Sequence, residues 1–368
     1  MLDGLRGFGA ILVLFGHTIY YWGLEWSASG VVIVDLFFVL SGFVLAYAYE
    51  PRFAAGMGAR EFMTHRIVRL YPLYLLGTLI GFAIFMAAAV GDADGQERTL
   101  SYVLQLIPQL FMLPSPEVLG TEDVYSFNVP AWTLFFELVV NLVYVLAFRW
   151  LRHTWVLVMV VAGCALALIY TVFYFGSIDA GPQWDNFVAG FARAGFGFFA
   201  GVLGYRLLGS PRTAKRPEKK SALIVVVLLP IICLTPATEQ MRPFVDIALA
   251  MLLSLPLLWV AQSMGPPARF NALFTIGGRI SYAVYILHQP FRELAARAAW
   301  HDINLYSVAP LSGIVIMILA VSLAYFAERY YDRPVRRWIV AKLRQRAASR
   351  GASAPAAAEP KSSTAFAE

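Results

Sequence analysis

Arg6 and His17 stand eleven positions apart in the segment LDGLRGFGAILVLFGHTIYYWGL. As a helix, that spacing is about three turns, so both side chains share one face and His17 lies about 16 Å further along the axis. An ionisable group at such depth in hydrocarbon is costly and persists where it has a partner or a task. Four other apolar segments carry one each: Asp35 in VDLFFVLSGF, Glu137 in PAWTLFFELVVNLVY, Arg193 in FARAGFGFFAGVLGY and His288 in ISYAVYILHQP. A neutral imidazole beside a carboxylate is a general base for a hydroxyl group, with a pKa near working pH. Asp35 or Glu137 is expected to hold the His17 imidazole in one tautomer and to stabilise its imidazolium. Arg6, Arg66 and Arg69 offer planar forks that match phosphate, which suits a phosphorylated donor. Metal chemistry has no support: Cys164 and Cys233 both lie in apolar stretches without ligand spacing. The chain also lacks a P-loop, a strand followed by GxGxxG, and an HExxH helix.

The elements that position these residues follow from composition. Hydrophobic residues make up 59% of the 368-residue chain and charged residues only 14%, with a mean hydropathy of +0.65. An ordinary soluble domain carries about a quarter charged residues. The apolar residues fall in segments near the ~20 that span hydrocarbon as a helix. About ten spans are expected, near 5–24, 31–49, 67–90, 131–149, 155–176, 187–208, 221–236, 244–264, 274–292 and 306–327. The stretch Ser101–Leu113 is apolar but too short to cross and reads as interfacial or re-entrant. The first segment is not a signal peptide, because Tyr20, Tyr21 and Trp22 stand where small cleavage-site residues belong. The fold expected is therefore an all-α polytopic bundle. The net charge of +6 sits at segment ends, which argues for a lipid bilayer as partner and against nucleic acid.

Orientation comes from the loops. One set holds Arg52, Arg60, Arg66, Arg149, Arg152, Lys219, Lys220, Arg333, Arg336 and Arg337, whereas the alternate set holds Asp92, Asp94, Glu97, Asp179 and Asp185. Lys and Arg mark the cytoplasmic side, so both termini are expected there. Residues 341–368, basic and then rich in Ala, Pro and Ser, are expected to form a disordered cytoplasmic tail after a membrane domain over 1–340. In this orientation His17, Asp35, Glu137, Arg193 and His288 share a layer in the outer half, with Arg6, Arg66, Arg69 and Arg279 near the cytoplasmic ends.

Taken in order, LDGLRG with a histidine eleven after its arginine, DLFFVLSGF, HRIVRLYPLY, PAWTLFFE and SYAVYILHQP resemble the acyltransferase 3 family of integral-membrane O-acyltransferases. The likeness runs to about Arg337, and His65 stands where many members carry another arginine. The resemblance implies an acyltransferase of the plasma (inner) membrane of bacteria. It implies transfer of an acyl group, with acetyl expected, from cytoplasmic acyl-CoA to a hydroxyl of a surface or exported glycan or lipid-linked saccharide. No tightly bound cofactor or metal is implied. The family's Arg/His pair maps onto Arg6 and His17, its second-span acid onto Asp35, its arginine motif onto Arg66 and Arg69, and its acid after the Trp motif onto Glu137. Trp132, Arg193 and His288 are the residues expected to meet the acceptor.

A plainer reading stands beside each of these. Arg66 and Arg69 also fit as topology determinants. Asp35 and Glu137 also fit as structural partners of Arg193 or His17. His288 precedes Gln289 and Pro290 near a helix end, where a local hydrogen-bonding role is natural. The alternative function is a secondary transporter that uses the same His and carboxylates as a proton relay.

Overall fold

The computed structural model describes residues 2–24, 32–90, 95–209, 230, 237–263, 268–298 and 304–349. The described chain is all-α, with one isolated bridge between Asp123 and Gln183 as its sole β contact. Seven stretches are long and apolar enough to cross a membrane: Val32–Ala54, Ala59–Ala89, Val129–Leu151, Thr154–Phe175, Phe187–Leu208, Arg242–Val260 and Leu311–Arg346. The expected span at 221–236 lies almost wholly outside the described residues.

In chain order the helices are α1 Leu2–His17, α2 Val32–Ala54, α3 Ala59–Ala89 and α4 Gly95–Leu110. Then come α5 Trp132–Leu151, α6 Thr154–Phe175 and α7 Phe187–Leu208. A broken segment follows, with α8 Arg242–Ile247, a wide turn Ala248–Leu253 and α9 Ser254–Ser263. The last three are α10 Asn271–Ala298, α11 Leu311–Ala327 and α12 Arg333–Ser349. Two differences from the sequence reading matter. Helix α1 ends at His17, and the chain turns through a 3₁₀ turn at Ile19–Trp22. Helix α12 runs to Ser349, so 341–349 are helical, and the rest of the expected tail lies outside the described residues.

Two close helix pairs carry the site. In the first, α1 lies against α10 at glycines. A Cβ on Gly7 would come 2.5 Å from the Gly277 carbonyl carbon, and a Cβ on Gly278 would collide with Asp3. Without a strong hydrophobic drive between helices in lipid, such small residues let backbones approach and gain dispersion contact. In the second pair, α2 lies against α7, where Gly42 meets the Phe198 carbonyl and Gly201 meets the Val39 carbonyl. The long connection before α5 is held down as well. Tyr125 donates to Met112 O at 2.6 Å, Val124 N to Pro182 O at 2.9 Å and Trp184 Nε1 to Ser115 O at 3.0 Å. Val124, Tyr125 and Phe127 are fully buried, so this segment is part of the core and not a loose flap.

Candidate active site

The sequence places five ionisable groups at one depth, and the folded chain sorts them into three separate constellations. The first is a pair of histidines. Gly7 and Gly277 touch, and α1 and α10 run in the same direction from that contact. His17 lies ten residues beyond Gly7 and His288 eleven beyond Gly277, so equal helical rise brings the rings level. Their centroids are 4.8 Å apart, and His288 Nε2 sits 3.2 Å from His17 Nδ1.

The backbone dictates the proton positions of this pair. His288 Nδ1 is 2.7 Å from Tyr285 O and 3.3 Å from Val284 O. A carbonyl oxygen only accepts, so Nδ1 carries the hydrogen and Nε2 of the neutral ring is an acceptor. His17 Nδ1 is 3.0 Å from Val13 O. It too must donate, and its N–H is shared between Val13 O and His288 Nε2. The remaining nitrogen, His17 Nε2, therefore holds a lone pair, and no described residue bonds to it. His288 is buried and His17 is exposed. Arg292 and Asp179 are the charged groups that act on His17. Arg292 lies one turn beyond His288 on α10, with its Nε donating to Gln289 Oε1 at 3.1 Å.

The second constellation is Asp35 with Arg193. Arg193 donates Nε to Oδ1 at 3.1 Å and Nη2 to Oδ2 at 2.8 Å, a fork-to-fork pair. Its Nη1 donates to Ala180 O at 2.9 Å, and its guanidinium lies 5.1 Å over the Trp132 ring. Asp35 and Arg193 are each 2% exposed and Trp132 is buried. The α2–α7 contact explains the match, because Gly197, one turn beyond Arg193, meets the Asp35 carbonyl and Phe38. Asp35 thus balances an arginine and leaves the imidazole alone. Arg193 and Trp132 are both buried inside the bundle.

The third constellation is Glu137 with Arg66. Glu137 accepts from Arg66 Nη2 in a short ion pair and from Ser41 Oγ at 2.7 Å. Arg6 and Arg69 fall within electrostatic reach of this pair. Neither makes an ion pair or hydrogen bond among the described residues. Arg66 itself is buried, not spread on a surface mouth. The arginine cluster around Arg6 and the histidine pair therefore stand at different levels along α1, about 16 Å apart.

Several contributors escaped the sequence reading. Ser41 of the SGF run fixes Glu137. Tyr285 offers its carbonyl to His288, while its hydroxyl meets Thr133 Oγ1 at 3.0 Å and Pro130 O at 3.3 Å. Asn128 Nδ2 donates to Ile286 O at 3.0 Å. Together these bind the PAWT segment to α10 beside the histidines. The one signal in the sequence was their nearness to the quoted motifs. Among the described residues, no cluster of His, Cys, Asp or Glu could hold a metal ion.

A bundle of long apolar helices, with ionisable side chains held inside it, is a multi-pass membrane protein. The acyltransferase 3 family, described as an acyltransferase domain, matches residues 1–329, and the chain belongs to it. It is 37% identical over 158 residues to protein 2 in the picA locus of Rhizobium radiobacter, covering 41% of this chain and 81% of that one. It is 28% identical over 194 residues to the acyltransferase MdmB of Streptomyces mycarofaciens, covering 50% of this chain and 48% of that one. Against the peptidoglycan O-acetyltransferase OatA of Listeria monocytogenes it is 22% identical over 325 residues, covering 80% of this chain and 49% of that one. The chain thus spans about half the length of the last two relatives. No solved structure matches it.

Proposed function

We propose that this membrane acyltransferase moves an acyl group, acetyl in the simplest case, from cytoplasmic acyl-CoA to a hydroxyl of a cell-surface or exported polysaccharide. Its place would be the bacterial inner membrane, with both termini in the cytoplasm. The observation that carries this reading is the open lone pair on His17 Nε2, set by the hydrogen bonds on Nδ1. Membership of an acyltransferase family over residues 1–329 favours this reading over a transporter relay.

The proposed reaction starts with the donor. Arg6 and Arg69, with charge to spare, and Arg66, steadied by Glu137, would hold the phosphates of CoA. The pantetheine arm is an extended chain whose reach is comparable with the ~16 Å between Arg6 and His17. The acceptor hydroxyl gives its proton to His17 Nε2 as its oxygen attacks the thioester carbonyl carbon. The carbon–sulfur bond then breaks, and the CoA thiolate takes the proton back from Nε2. The acyl group would cross while the nucleotide stays on its own side, so the phosphates avoid hydrocarbon. Asp35 serves this scheme by neutralising Arg193 inside the bundle. The pair with Trp132 then forms a fixed wall behind the reacting groups. Support for a glycan acceptor comes from the peptidoglycan O-acetyltransferase relative.

A deletion strain complemented with wild type or His17→Ala tests the proposal by mass spectrometry of its envelope glycans. Wild type should restore an acyl mass increment that the variant does not, at equal membrane expression. Restoration by His17→Ala would remove His17 from the chemistry.

A further inference from the structure

We propose that His288 is the positioning residue of His17: a neutral imidazole that does what a carboxylate does in a Ser-His-Asp triad. This rests on the reading of His17 as the base. In a triad the buried acid accepts the Nδ1–H of the working histidine, aims its ring and stabilises the imidazolium. The carboxylates of the neighbouring helices are committed elsewhere, Asp35 to Arg193 and Glu137 to Arg66 and Ser41, and Asp179, the one acid that acts on His17, does so through space without a hydrogen bond to it. The group that faces His17 Nδ1 is His288 Nε2, at 3.2 Å.

His288 is prepared for that part. It is 1% exposed, and its own Nδ1–H is tied to Tyr285 O at 2.7 Å and Val284 O at 3.3 Å. Its ring can neither turn over nor present anything but a lone pair to His17. Tyr285 is anchored in turn through its hydroxyl to Thr133 and Pro130. When the acceptor proton arrives on His17 Nε2, the positive charge spreads to Nδ1–H. That hydrogen then lies between Val13 O and His288 Nε2, two acceptors that strengthen their bonds as the charge grows. His288 takes up no proton at any step. A neutral acceptor keeps the dyad free of net charge in its resting state, which costs far less inside a membrane than a buried carboxylate without a cation. The same position would otherwise be read as a substrate contact, because it lies beside the base.

The test uses the full-length protein in nanodiscs, with acetyl-CoA as donor, extracted envelope glycan in excess and free CoA thiol as the readout. His288→Phe keeps the ring volume and loses both nitrogens, whereas His288→Gln restores one donor and one acceptor. We expect kcat of His288→Phe to fall on the order of 100-fold, the lower end of what placed proton transfer contributes. Its KM for acetyl-CoA should stay unchanged, and His288→Gln should recover most of the loss. Near-normal kcat in His288→Phe overturns the proposal, as does a change confined to the glycan KM, which would make His288 a substrate contact. If the Phe variant does not run as a folded particle on size exclusion, His288→Leu replaces it under the same criteria. A well-folded His288→Gln no better than either apolar variant would also overturn it. His17→Ala is assayed alongside. Activity there sinks the base itself, whereas a dead His17→Ala with an active His288→Phe sinks only the positioning role.

Discussion

Arg66 and Arg69 look equivalent in the sequence but differ in what their charge is already doing. Arg66 is buried and paired with Glu137. Breaking a buried pair by removing one partner costs about 3–5 kcal/mol, because the other charge is stranded. Arg66→Ala should therefore lower the yield of folded protein, and any loss of activity would say little about the donor. Arg69 has no such partner among the described residues, so its removal is the cleaner probe. Arg69→Ala should weaken acyl-CoA binding by about 1.5–3 kcal/mol, seen as a roughly 10- to 150-fold rise in the donor KM with kcat little changed. A donor KM that stays put in Arg69→Ala would leave this arginine as a topology residue.

At the scale of helices, the histidine pair exists because α1 and α10 touch backbone to backbone. The contact is lopsided in a way that can be read out. A Cβ on Gly7 would meet the Gly277 backbone at 2.5 Å, whereas a Cβ on Gly277 would lie 3.5 Å from Gly7 Cα, an ordinary distance. Gly7→Ala must push the helices apart and carry His17 away from His288. Gly277→Ala has room. We expect Gly7→Ala to lose most activity and some thermal stability, while Gly277→Ala stays near wild type in both. Equal effects from the two would mean that this contact does not set the register of the histidines. The α2–α7 contact does the same service for Asp35 and Arg193, where Gly201 abuts the Val39 carbonyl.

The molecule as a whole separates the Arg6, Arg66 and Arg69 cluster from the histidine pair along α1. Arg6, Arg66 and Arg69 gather near the Leu2 end of α1, and the histidines stand near its other end. If the donor is cytoplasmic, the two ends must face opposite sides of the membrane. Arg60 and Tyr20 are both exposed, one at the start of α3 and the other just beyond His17. In a background with both native cysteines replaced, Arg60→Cys should react with a membrane-impermeant maleimide only in inverted vesicles. Tyr20→Cys should react only in intact, right-side-out cells. Labelling of both from one side would rule out transfer across the bilayer along α1.

Much of this was legible in one dimension. The length of the apolar runs dictates helices, since backbone groups in hydrocarbon must bond within their own segment. Helical rise then orders the ionisable residues along each helix, so Arg6, His17 and the motifs that follow could be set against a family, but it set Glu137 level with His17 whereas the fold bonds it to Arg66 among the arginines. Depth, however, says nothing of which face looks at which neighbour. Asp35, Glu137, Arg193 and His288 share a level by count, and only the tertiary structure decided that Asp35 takes Arg193, Glu137 takes Arg66 and His17 takes His288. That choice belongs to the glycines at which backbones meet, and their contacts are long-range and invisible in the spacing of any single helix. The nearest hint was arithmetic: Gly7 to His17 and Gly277 to His288 are almost the same rise, a coincidence that acquires meaning only once the two glycines are known to touch.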